Sequence, residues 1–225
     1  MHFVVISIFP EMFTALTRFG VIGKAVTAGI IKFDCLNPRD YTTDSYRRVD
    51  DRSYGGGPGM VMLAEPLYQA IFAAKALLGQ DAQVIYLSPQ GQTFTQKDVL
   101  PLLSLKKMIL LCGRYEGIDQ RIIDYYVDQE LSIGDFVVSG GELPAMLVID
   151  ALTRFIPGVL QDETSSQFET FQGEWVDYPH YTSPRLWRGI PVPEVLLSGK
   201  HQKIAAWRAQ EAERKTRSRQ PKKGG

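Results

Sequence analysis

The chain reads as an α/β protein: a parallel sheet covered on both faces, followed by a small, mainly helical C-terminal region. Three observations predict that class. Short apolar runs of strand length alternate with helical segments across short loops. Val4–Ile8 is a short apolar run and Met108–Cys112 reads as buried, as strands covered on both faces must be. The 225 residues, 44% of them hydrophobic, suffice to bury a core without disulfide or metal staples.

The elements follow in order. Val4–Ile8 is a strand, after which Pro10 and Glu11 open a helix. Ile30–Cys35 is a second strand, and a polar, glycine-rich stretch runs from Asn37 to Gly59. Ala64–Leu78 carries Leu67, Ala70, Ile71, Ala74 and Leu77 at helical spacing and closes on Gly79. Val84–Leu87 is a strand ending in a turn, Ser88-Pro89-Gln90-Gly91. A short helix is expected at Gln96–Leu103 and a buried strand at Met108–Cys112. Asp119–Tyr126 reads as helix, Ile133–Val138 as strand, and Glu142–Ile156 as an amphipathic helix. Beyond Pro157-Gly158 the periodicity vanishes. Residues 161–183 read as an interdomain linker, 199–215 as a basic helix, and the last ten residues as disordered. The expected domains are thus 1–160, a linker at 161–183, and a basic region at 184–225.

Composition excludes several classes. No apolar run approaches the ~20 residues of a membrane helix, so no membrane association is expected. The opening MHFVVISIFPE lacks a basic region and a cleavage site, so it is not read as a signal peptide. Cys35 and Cys112 lie in apolar segments and read as buried free thiols of a reducing, cytoplasmic compartment. Two Cys and three scattered His offer no metal-ligand spacing, and no metal site is expected. The net charge of zero hides an asymmetry: residues 200–225 hold nine Lys or Arg against two Glu, a balance of +7 that residues 1–199 offset. A basic tail on an acidic body is a footprint of a nucleic-acid partner, although a solubilising tail has the same composition.

Open parallel sheets bind ligands at the carboxyl ends of their strands. Three such ends carry unusual residues: Tyr86-Leu87-Ser88-Pro89, Gly113-Arg114-Tyr115-Glu116-Gly117 and Ser139-Gly140-Gly141. Glycine lets main-chain amides approach a ligand closely; one glycine turn alone more often means tight packing, but three together suggest a pocket. The GGGPG run at 55–59 has no following Gly-Lys-Ser/Thr, and neither a dinucleotide fingerprint nor a nucleophile elbow is present.

Longer motifs go further. LCGRYEGID (111–119), SIGDFVVSGGELPAM (132–146), RFIPGVL (154–160) and VDYPHYTSP (176–184) resemble the bacterial tRNA (guanine-N1)-methyltransferases of the TrmD type. So do ISIFPEMF (6–13), RDYTTD with VDDRSYGGGPGM (39–60), and VIYLSPQG (84–91), and the resemblance runs to about residue 208. It implies a SPOUT-type domain with a deep trefoil knot, a topology that general chain-threading rules would disfavour. It also implies S-adenosyl-L-methionine as methyl donor, tRNA as substrate, and a homodimer whose active site lies at the subunit interface. Mg2+ assistance is left open.

Carried onto this chain, the resemblance assigns the donor to Tyr86, Leu87, Ser88 and Pro89; to Gly113, Tyr115 and Glu116; and to Ile133, Gly134, Asp135, Phe136, Val137 and Val138 with Gly140, Gly141 and Pro144. Asp135 has a rival reading as a turn residue. Methylation at guanine N1 needs a base for the N1 proton and a cation or donor near O6. The resemblance gives the second role to Arg154 and the first to Glu169, which stands where the family has Asp, with Asp177 as the reserve base. The bland readings are a surface ion pair for Arg154 and solvated loop acids for the other two. Asp50, Arg52, Gly59 and His180 are the expected substrate contacts, and Arg39, Arg47 and Arg48 cluster nearby; solvated ion pairs are the alternative there. Ser183 replaces an Arg of the family's HYTRP motif, with Arg185 and Arg188 close by, and beyond Trp207 the family continues into a longer helical region. These departures motivate a second hypothesis from another class: an RNA-binding protein of the same fold with weakened catalysis.

Overall fold

The apolar runs become strands because each fills two cores at once. The computed structural model describes residues 1–160, Thr170 and residues 175–219. It divides into two compact units, Met1–Gln161 and Asp162–Gly225.

The first unit opens with β1 (His2–Ile6), a 3-10 turn at Pro10–Phe13, and helices α1 (Thr14–Thr17) and α2 (Gly20–Thr27). Next come β2 (Lys32–Leu36) and a two-residue ribbon of β3 (Asp50–Asp51) and β4 (Val61–Met62). Helix α3 (Ala64–Leu78) has the predicted bounds and ends on Gly79, whose φ of 106° suits a residue without Cβ. There follow β5 (Gln83–Thr93), α4 (Val99–Ser104), β6 (Lys107–Cys112), α5 (Gln120–Tyr126), β7 (Gln129–Ser132) and α6 (Glu142–Thr153). The five long strands form one sheet in the order β2-β1-β6-β5-β7, and every pairing in it is parallel.

Alternation along each strand sorts side chains into two layers. Phe3, Val5, Ile85, Leu110 and Cys112 pack with α2, α4 and α6 on one face. Val4, Ile6, Val84, Tyr86, Ile109 and Leu111 pack with α3 and α5 on the other. Each fully buried Leu or Ile contributes about 1.5–3 kcal/mol, so the sheet is the stable platform for whatever its edges carry.

Several boundaries differ from expectation. Ser88–Gly91 is not a turn. Strand β5 runs on to Thr93, pairing with both neighbours to Leu87 and then, after a bulge, with β7 alone through Gln92 and Thr93. Pro89 is tolerated because that stretch has become an edge, where a missing N–H costs no ladder bond. Ile133–Val138 is not a strand: β7 ends at Ser132, and the Gly134 amide donates to Ser132 Oγ at 3.2 Å, turning the chain away. The segment after Pro10 begins as a 3-10 turn, and α6 stops at Thr153 rather than Ile156.

The second unit contains a short ribbon of β8 (Leu186–Trp187) and β9 (Ile190–Pro191), not anticipated from the sequence, then α7 (Glu194–Leu197) and α8 (His201–Arg219). Residues 216–219, expected to be disordered, are helical: α8 is extended by a Glu213–Arg217 pair one turn apart. Residues 220–225 and most of the expected linker, 161–169 and 171–174, lie outside the described residues. Among the described residues no helix is long and apolar enough to cross a membrane, and no group of His, Cys, Asp or Glu is arranged to hold a metal ion.

Candidate functional site

Around the carboxyl ends of β6 and β7 and the Tyr86–Gln90 stretch within β5, the three expected segments converge on one cavity of about 280 Å³. Tyr86 to Gln90 form one wall, Gly113 to Ile118 a second, and Ile133 with Phe136 to Gly141 a third, closed by Pro144 at the start of α6. All the residues assigned to the donor line it except Gly134 and Asp135. Those two belong to the same loop, but Gly134 is spent on the Ser132 turn and Asp135 points to solvent.

The glycines are needed for space. A Cβ at Gly113 would lie 2.7 Å from the Tyr86 hydroxyl, and one at Gly141 would lie 2.7 Å from Cys112 Cα. A Cβ at Gly140 would overlap the Arg114 side chain. The turns are therefore packed as tightly as backbones allow, and the Gly141 amide donates to the Gly113 carbonyl at 2.9 Å.

Burial, with a smaller push from Glu130, raises the Tyr86 hydroxyl to about 12, so it stays protonated. Burial also lifts the Cys112 thiol well above its ordinary range and that of Cys35 to about 12. Neither thiol offers a nucleophile near neutral pH.

Only two side chains of the cavity wall carry charge, Arg114 and Glu116. Arg114 is spoken for. Its Nε donates to Glu142 Oε2 at 2.8 Å, and its Nη1 to the Ser139 carbonyl at 3.1 Å. Glu142, fully buried in the first turn of α6, also accepts from Ser7 Oγ at 2.7 Å. Glu116 is exposed, with its carboxylate against Gly59, and is the charged side chain of the wall with no ion-pair partner among the described residues.

The substrate-facing candidates divide. The 59–62 segment docks on the second wall, with Glu116 N–H donating to the Met60 carbonyl at 2.9 Å and Met62 N–H to that of Gly117 at 3.0 Å. That brings Gly59 against Glu116, and Asp50 shares a hydrogen bond with the Tyr115 hydroxyl. Tyr115 is held at φ 61°, an unusual conformation for a bulky residue. Burial and then the Asp50 charge push its hydroxyl up, opposed by Arg39. Arg52 is exposed and not on the cavity wall, while Arg47 and Arg48 are paired with Asp40 and Asp44. The ion-pair reading holds for those two arginines.

Of the catalytic candidates, Arg154 belongs to the first unit and is not on the cavity wall. Arg154 caps the C-terminal end of α6, whose 12 residues put it about 18 Å along the helix from Glu142. Asp177 lies in the second unit, where its Oδ2 is 2.8 Å from His180 Nε2, and the His180 ring lies 4.7 Å from that of Tyr178. Glu169 lies outside the described residues.

The pocket-forming ends read from the sequence included Arg114 and Ser139, but neither was assigned to the donor, and the lining residues Gln90, Ile118, Gln120, Ile123, Leu131 and Ser132 were not assigned to the site. Arg114 was the most legible of them, standing between two residues already assigned to the site. Glu142, its partner 28 positions away, gave no local signal.

Comparison with known proteins agrees with the motifs. The family model described as tRNA (Guanine-1)-methyltransferase TrmD matches residues 1–223. A protein of Aeromonas hydrophila named tRNA (guanine-N(1)-)-methyltransferase is 54% identical over 217 residues, 96% of this chain and 87% of its own. Proteins of the same name from Haemophilus influenzae and Buchnera aphidicola are 53% and 54% identical, over 96% and 97% of this chain and 88% and 83% of theirs.

Proposed function

The chain belongs to the tRNA (guanine-1)-methyltransferase TrmD family, and we propose that it transfers a methyl group from S-adenosylmethionine to N1 of guanosine 37, on the 3′ side of the anticodon in tRNA. The observation that carries this reading is the charge and shape of the cavity. A wall of main-chain groups and apolar side chains suits a neutral adenine, and the unbalanced carboxylate of Glu116 suits a cation. A polyphosphate would need several free Lys or Arg, which this wall lacks. The residues present therefore fit S-adenosylmethionine, whose sulfonium supplies an electrophilic methyl.

The chain's own groups do the rest. Leu87, Gly113, Val138 and Gly140 would hold the adenosine of S-adenosylmethionine through backbone donors and acceptors. Arg154 stabilises the negative charge that develops on guanine O6, and a carboxylate, Glu169 or in its place Asp177, takes the N1 proton. Asp50 and Gly59, set against the 113–117 wall, meet the guanosine; Arg52 and His180 contact the RNA around it.

The placement of Arg154 supports a homodimer. It cannot serve the cavity of its own chain from the far end of α6. Leu143 and Leu147 are 51% and 55% exposed on that helix, and with Asp150 and Arg154 they form one stripe. A second copy packed on that stripe covers the leucines and carries its Arg154 towards the neighbour's cavity. The reading includes a SPOUT-type knotted topology, a basic helical C-terminal region for tRNA, and a cytoplasmic location, where tRNA is processed.

The test is methyl incorporation from labelled S-adenosylmethionine into tRNA transcripts carrying G or A at position 37. Incorporation with G and none with A is expected. Binding of both transcripts without incorporation would replace this reading with that of an RNA-binding protein.

A further inference from the structure

Among the described residues, Glu142 is the one fully buried charged side chain. A buried charge is costly unless it is paired and hydrogen-bonded, so its surroundings must be specific. They are. One carboxylate oxygen accepts from Ser7 Oγ at 2.7 Å and the other from Arg114 Nε at 2.8 Å. Ser7 Oγ in turn accepts from the Phe9 amide at 2.9 Å. The guanidinium of Arg114 lies 4.7 Å from the centre of the Phe9 ring, reaches Met12 Sδ at 3.4 Å, and donates to the Ser139 carbonyl at 3.1 Å. The first turn of α6 adds its positive dipole end beneath the carboxylate.

Three chain segments meet at this pair. Arg114 belongs to the second cavity wall, Ser139 and Glu142 flank the glycines of the third, and Ser7 to Met12 follow β1 and contribute nothing to the cavity. The Arg114 side chain also occupies the space beside Gly140 that a Cβ would need.

We propose that Ser7, Glu142 and Arg114 form a positioning strut that sets the gap between the 113–117 and 139–141 turns. Through that gap it fixes the direction in which the bound donor presents its methyl. This rests on the methyltransferase reading above. Affinity comes from many contacts spread around the cavity, whereas transfer needs sulfur, carbon and nitrogen in line. A strut of this kind governs rate far more than binding. Glu142 and Ser7 act through Arg114 and touch no reactant.

Arg114→Lys keeps the charge and removes the fork that reaches Glu142 and Ser139 together. At saturating substrates its single-turnover rate should fall by about 10–100-fold, as expected for a displacement of the order of 1 Å. Its dissociation constant for S-adenosylhomocysteine, measured by calorimetry, should change by less than about threefold. Thermal unfolding monitors the fold. If the Lys variant unfolds below the assay temperature, Ser7→Ala, which leaves no charge unpaired, carries the same test with an expected rate loss of about three- to tenfold and unchanged affinity. Equal losses of rate and affinity, or no loss of rate in a folded variant, overturn the strut. A wild-type protein that binds no S-adenosylhomocysteine overturns the methyltransferase reading instead, so the two failures are distinct.

Discussion

The two units solve the problem of holding residues in place by different means. Around the cavity, position is over-determined: the 113–117 and 139–141 turns meet backbone to backbone, glycines leave no slack, and a buried ion pair ties the walls together. In the second unit almost nothing is buried. Ala212 is its one buried residue among those described, and Leu186, Trp187 and Ile190 of the β8–β9 ribbon are 57–62% exposed. Its order rests on a few contacts at the surface: Arg214 pairs with Glu211 at 2.5 Å, Arg208 lies 4.7 Å from the Tyr178 ring centre, and the Val176 amide donates to Thr216 Oγ1 at 2.8 Å. A small-molecule site gains from rigidity, because a misplaced methyl does not transfer. A surface for a large, irregular polyanion gains from exposed aromatic and basic groups that adjust to it.

Substitutions can break that contrast. The largest effect is expected from Arg154→Ala, which should lower single-turnover methyl transfer by about 10²–10³-fold with S-adenosylhomocysteine affinity unchanged. Equal loss of both would make Arg154 structural. Gly141→Ala places a methyl against Cys112 Cα and should weaken S-adenosylhomocysteine binding by at least about tenfold in calorimetry, with about 1–3 kcal/mol of destabilisation in urea. Wild-type affinity there would show the turns to be pliable. In the second unit, Trp187→Ala should cost about 1–3 kcal/mol of tRNA affinity by filter binding and leave S-adenosylhomocysteine binding untouched.

The smallest effect sharpens the contrast from the side of local order. Asp119 caps α5 by accepting from the Arg121 amide at 2.9 Å, and the Arg121 side chain holds its carboxyl below the usual carboxylate range. A lowered folded value means that this stabilisation is present above about pH 4 and is lost as pH falls through the lowered value. Asp119→Ala should therefore cost about 1 kcal/mol in urea unfolding at pH 7, and the difference should shrink towards pH 3.

How much was legible follows from the range of the forces involved. Helix α3 was readable to the residue because its apolar spacing and the closing Gly79 are local. The strands buried on both faces announced themselves by composition. Ile133–Val138 misled because an apolar run reads as strand, whereas here it supplies Phe136, Val137 and Val138 to a cavity wall beyond the end of β7. Ser88–Gly91 misled because Pro and Gly mark turns, and only the loss of β6 as a neighbour makes that stretch a tolerable edge. The Arg114–Glu142–Ser7 contact joins positions up to 135 apart, and no window along the chain contains it. The motifs found the cavity walls; the force that spaces them was visible only in three dimensions.

The strand order has a consequence for how the molecule comes into being. Strand β1 lies between β2, which leaves the ribosome soon after it, and β6, about a hundred residues later. At roughly 5–20 residues per second, the first strand waits about 5–20 s with one ladder of amides and carbonyls unpaired. The nascent chain must shield that edge before the centre of its sheet can close.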